Sequence, residues 1–125
     1  MEEEELNDII LTNISNLGIE IKEAELDSAP AFINCCRNLM VYDKSQATAF
    51  VLAHEMIHAK YHDESRCNIH DVLNPCEKRA NTEAIQYLWE IFLAYGGELS
   101  SFNQFATFTK VPFDQATVII EKMDR

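Results

Sequence analysis

Residues 45–61 read SQATAFVLAHEMIHAKY. The run contains no glycine or proline, opens at Ser45, a residue suited to capping, and is apolar on nearly every face through its middle. It therefore predicts a helix that belongs in the interior of the fold. Inside it stand His54, Glu55, Met56, Ile57 and His58. Two histidines four residues apart lie one turn from each other on one helix face, about 6 Å along the axis, so both imidazoles can reach a single metal ion. Glu55 is set off that line, where it can take a proton from a water instead of binding the metal.

A catalytic zinc ion needs a third protein ligand and an open fourth position. The metzincin solution, a histidine six residues beyond His58, is disfavoured because Glu64 stands there. The other common solution is a glutamate from a following helix, and Glu77 is placed for it. On a helix, Glu77, Asn81, Ala84, Leu88 and Phe92 share one face, so Glu77 and Asn81 would be carried inward on an apolar stripe. A carboxylate directed into a core needs a cation. Asn81 could accept a hydrogen bond from the non-ligating nitrogen of a zinc histidine and hold its tautomer. Glu77 has a second reading: with Asn74 it spells a capping box, in which it bonds back to the helix start and binds no metal. Tyr61, His62, His70 and Tyr87 are candidate donors to an oxyanion. Cys67, His70 and Cys76 form a weaker cluster that lacks a fourth ligand for a structural zinc.

The segments FVLAHEMIHAKYH and CEKRANTEAIQYL, an HExxH helix followed by a polar loop and ExxAN on the next helix, resemble the ImmA/IrrE family of small, gluzincin-like zinc metallopeptidases found in phages and mobile elements. The resemblance covers roughly residues 30–95. It implies one Zn2+ held by His54, His58 and Glu77, with Glu55 as catalytic base and Asn81 supporting a zinc histidine. It also implies a protein substrate, a helix-turn-helix transcriptional repressor cut at one site to relieve repression. In such a reaction the metal acidifies a water to a pKa of roughly 7, and Glu55 takes its proton and passes it to the leaving amine. The alternative expectation is a catalytically weak or inactive protein of the same fold that regulates its partner by binding alone.

The rest of the chain constrains these readings. With 125 residues, 47% of them apolar, the sequence predicts a single metallopeptidase-like domain over 1–125, able to bury its own core. The net charge is −11, and residues 1–28 carry nine acidic side chains against Lys22 alone. That excess disfavours direct binding of nucleic acid, because phosphate contacts draw on Lys and Arg. The tail from Leu99 onward is electrically neutral, which argues the same way. No apolar run approaches the roughly 20 residues of a membrane span, and the acidic start lacks a signal-peptide core, so the expected location is cytoplasmic with reduced thiols. Cys35 and Cys36 are expected to pack as small apolar groups in a strand.

The expected fold is α+β. Ile9, Ile10, Ile14 and Leu17 mark an amphipathic helix over 6–17 within an acidic N-terminal segment, 1–18, that ends at Gly18. A period near two over 19–42 predicts a small antiparallel sheet of two or three strands, packed against the buried HExxH helix and a second long helix. That second helix spans 76–95, opened by Asn74 and Pro75 and stopped by Gly96 and Gly97. Residues 30–95 make the metal core. Over 98–125 the pattern predicts short helices, 99–108 and 113–123, whose Phe102, Phe105, Phe108 and Phe113 read as core.

Overall fold

The computed structural model describes residues 2–34, 36–61 and 75–123. Helix α1 (Glu3–Asn16) leads into strands β1 (Glu20–Glu23), β2 (Ala31–Asn34) and β3 (Leu39–Tyr42), followed by helices α2 (Ala49–Lys60) and α3 (Pro75–Ala94). A 3-10 turn (Leu99–Ser101) then precedes α4 (Phe102–Thr109) and α5 (Phe113–Met123). The class is α+β, as the sequence periodicity predicts. Among the described residues no helix is long and apolar enough to cross a membrane.

α1 begins three residues earlier than its apolar spacing suggests, because Glu3, Glu4 and Glu5 occupy a first turn where the helix dipole favours negative charge. Its Leu6, Ile10 and Ile14 point into the core at four-residue steps, and α1 packs against α2. Burying one such isoleucine completely stabilises the fold by about 1.5–3 kcal/mol. The helix closes at Gly18, whose φ of +87° lets its N–H reach back to Ser15, a conformation that a side chain would strain.

The sheet has the order β1-β3-β2, and it is mixed where the periodicity suggested a wholly antiparallel one. β2 pairs antiparallel with β3, while β1 runs parallel to β3 with Ile21 opposite Met40. Alternation reports which face of a strand is buried and says nothing of strand order. The apolar LMVY strand takes the middle, with Met40 fully buried, and the charged EIKE strand is left at an edge. Once the turn through Asn38 ties β2 antiparallel to β3, β1 on the far side runs parallel.

α2 starts at Ala49, not Ser45, and its cap is Thr48, whose Oγ1 accepts from the N–H of Val51 at 3.2 Å. Ser45 is taken by Asp43. That carboxylate is 5% exposed and accepts from the Ser45 hydroxyl (2.6 Å), the Ser45 N–H (3.0 Å), the Leu26 N–H (3.1 Å) and the Gln46 amide (2.7 Å). A charged acceptor outcompetes the helix for these donors and pins the loop before β2 to the entry of α2. The hydrogen bonds from Ser45, then Leu26 and Gln46, lower the Asp43 pKa from 3.8 to about 2. A carboxyl depressed in the folded state contributes stability that is complete above its unfolded value and is lost as pH falls toward the folded one. Acid unfolding should therefore steepen between pH about 4 and 2, and Asp43→Asn should flatten that limb while lowering stability at pH 7. An acid limb that Asp43→Asn leaves unchanged would contradict this role.

α2 is buried without a break from Leu52 to Ala59, as an interior helix should be, and makes its most extensive contacts with α3. α3 ends where the chain turns at Gly96 (φ +94°), with the Gly97 N–H donating to Phe92. Phe105 is fully buried, edge-on to Trp89 at 5.0 Å between centroids, and Phe102 and Phe108 are half-buried against the core. Phe113 departs from the core expectation: it opens α5 beside Phe102 and is half-exposed. Cys36 departs as well, lying exposed in the turn after β2, while Cys35 is outside the described residues.

Candidate metal centre

Three side chains from two helices meet in the interior. His54 and His58 project from one face of α2, and Glu77 comes from the first turn of α3; all three are buried. His54 Nε2 lies 3.0 Å from His58 Nε2 and 2.9 Å from Glu77 Oε2, and His58 Nε2 lies 3.0 Å from Glu77 Oε1. This group could hold a metal ion.

The donor chemistry fits one. His54 Nδ1 is 2.8 Å from Asn81 Oδ1, a carbonyl oxygen that can only accept, so His54 donates from Nδ1 and turns a bare lone pair on Nε2 toward the other two groups. Glu77 Oε1 is buried and accepts no hydrogen bond from the described residues. With the His54 lone pair, the His58 nitrogen and the Glu77 carboxylate about 3 Å apart in a buried site, a cation among them would satisfy all three. A proton on His54 is a poor candidate, since burial, followed by the neighbouring His58, lowers the His54 pKa, and Glu77 and Asn81 only partly oppose this. Separations near 3 Å approach the roughly 3.3 Å edge of a tetrahedron whose ligands stand 2.0–2.1 Å from a zinc ion.

Glu55, next to His54, is also buried, and burial, then the charge of Glu77, pushes its pKa up to about 8. Phe50, one turn before His54, places its ring 6.0 Å from the imidazole and helps to dry that side.

The remaining candidates divide. Asn81 joins the centre through His54. The Glu77 carboxylate faces the two imidazoles, and Asn74, its partner in the capping-box reading, lies outside the described residues, as do His62, His70 and Cys67. Tyr61 is engaged elsewhere: its hydroxyl donates to Glu83 at 2.7 Å and its ring lies 4.0 Å beneath the Arg79 guanidinium. Tyr87 shares a short hydrogen bond with the Asn13 amide of α1. The Tyr61, Arg79 and Glu83 link between α2 and α3 had no signal in the sequence, because nothing in the spacing of three polar residues on two helices marks them as partners.

Replacing Asn81 with alanine should release the His54 ring and lower metal affinity by roughly 10–100-fold, measured by competition with a chelating dye. An affinity equal to that of the unaltered protein would show that Asn81 does not support the site.

No protein-family model, curated protein or solved structure matches this chain.

Proposed function

We propose that His54, His58 and Glu77 hold a zinc ion and that the protein is a small zinc-dependent endopeptidase. The observation that carries this reading is the convergence of two imidazole nitrogens and one carboxylate within about 3 Å, with Glu55 buried beside them. Two nitrogens and one oxygen form the donor set of zinc peptidases, which leave a coordination position open. When bound, zinc supplies a Lewis acid for the peptide carbonyl and acidity for the attacking water. Asn81 holds the His54 tautomer that presents Nε2. Glu55 is the proton carrier: a carboxylate buried beside the metal ligands can accept a proton from the attacking water and return it to the leaving amine.

The resemblance to the ImmA/IrrE family points to a helix-turn-helix repressor as the substrate. Incubation with a repressor encoded beside this chain is the direct test. A single cut that needs zinc and disappears in Glu55→Gln supports the proposal. An intact repressor, or equal cutting by the variant, overturns it. A second reading, regulation by binding alone, is favoured by the engagement of the Tyr61 and Tyr87 hydroxyls with Glu83 and Asn13. It predicts a complex whose stability and effect are indifferent to Glu55→Gln.

A further inference from the structure

A groove of about 770 Å³ runs between α3 and α5, and its α3 wall includes Glu77 and Asn81. The metal centre and the groove thus share two side chains. The volume lies within the roughly 300–1,000 Å³ of ordinary ligand sites.

We infer that this groove is the seat of the polypeptide substrate, holding an uncharged, extended segment with an apolar side chain next to the metal centre; the inference rests on the peptidase reading. α5 anchors itself to the core through Ala116 and Ile120, yet it also presents Val118 (51% exposed) and Met123 (36% exposed) to the groove. Both line the same concavity, whereas the exposed Leu93 of α3 lies outside it. Methionine and valine there offer an adaptable apolar contact for a side chain. Gln86 and Gln115, on opposite walls, can each donate and accept, which suits a peptide backbone of any sequence. Lys78 and Lys122 stand against Asp114 and Glu77, so the side chains of the groove balance in a chain of net charge −11. That balance favours an uncharged segment over a phosphate or a polycation.

The test uses the zinc-loaded Glu55→Gln protein and a set of fluorescent 15-residue peptides spanning unstructured casein, with binding read by anisotropy. Two exposed positions are altered separately: Val118→Asp places a charge in the groove, and Gln115→Trp fills it. Leu93→Asp, at an exposed apolar site of α3 outside the groove, is the control. Melting temperature and zinc content verify that each variant is folded and loaded. The expected result is binding weakened at least tenfold by both groove variants and unchanged by the control. Absence of peptide binding, equal binding by all variants, or a dimer that Val118→Asp splits would overturn the inference, the last by assigning the groove to a second copy. Hydrolysis of the adjacent repressor by the protein with Glu55 intact separates the two claims. Peptides bound in the groove beside a repressor left uncut sink the peptidase and keep the groove. A repressor cut with KM unchanged in the groove variants sinks the groove and keeps the peptidase.

Discussion

Adding zinc to the metal-free protein is expected to raise its melting temperature by about 15 °C. The estimate follows from linkage: zinc at about 1,000 times its Kd stabilises the folded state by about 4 kcal/mol, and about 1 kcal/mol shifts a domain of this size by about 4 °C. Each ligand should be necessary. His54→Ala, His58→Ala and Glu77→Ala should each remove most of the zinc-dependent shift, beyond the loss expected for Asn81→Ala. Glu77→Ala also decides between the two readings of that residue. A ligand buried against two imidazoles with one oxygen accepting no hydrogen bond from the described residues is a burden without its cation, so the metal-free variant should be no less stable than the unaltered protein. A capping residue would behave in the opposite way, costing about 0.5–2 kcal/mol without zinc and leaving the zinc shift intact. Melting curves that neither zinc nor chelator moves would remove the metal centre altogether.

Glu55→Gln should lower peptide hydrolysis by roughly 10²–10⁴-fold, the usual contribution of a positioned proton carrier, while zinc content stays the same. The same substitution has a second signature in the metal-free protein. Burial raises the Glu55 pKa from 4.5 to about 8. A carboxyl raised in the folded state favours folding most below its unfolded value, and that contribution is lost as pH climbs toward the folded value. Stability of the metal-free protein should thus decline between pH about 4.5 and 8, and Glu55→Gln should abolish the decline and be the more stable form at pH 7.5. Denaturant melts across that range measure it. A flat profile in the unaltered protein would mean that Glu55 is not buried as described, and hydrolysis that survives the substitution would remove it from the reaction.

Much of the architecture was legible because it depends on neighbours along the chain. The apolar continuity of residues 52–59 marks an interior helix, and the steps Leu6, Ile10, Ile14 mark the buried face of α1. Boundaries were less legible where a side chain had two offers. Ser45 is a good cap in isolation, but Asp43, two residues away, takes both its hydroxyl and its N–H, and the helix opens at Thr48 instead. Tyr61 and Tyr87 each look available for catalysis in the sequence. Their partners, Glu83 and Asn13, lie on other helices and could not be read from it.

The sequence by itself determined the half of the site that one helix builds. His54 and His58 face the same way because helical pitch makes residues four apart neighbours, whatever the remainder of the chain does. Composition likewise set the acidic stretch over residues 1–28 and the apolar load of α2. Only the tertiary structure decided that Glu77 turns its carboxylate to those histidines and that Asn81 reaches His54. It also decided that β3 enters the sheet between β1 and β2. Each of these depends on how separate elements dock, and docking is settled by burial summed over whole faces, which no local spacing encodes.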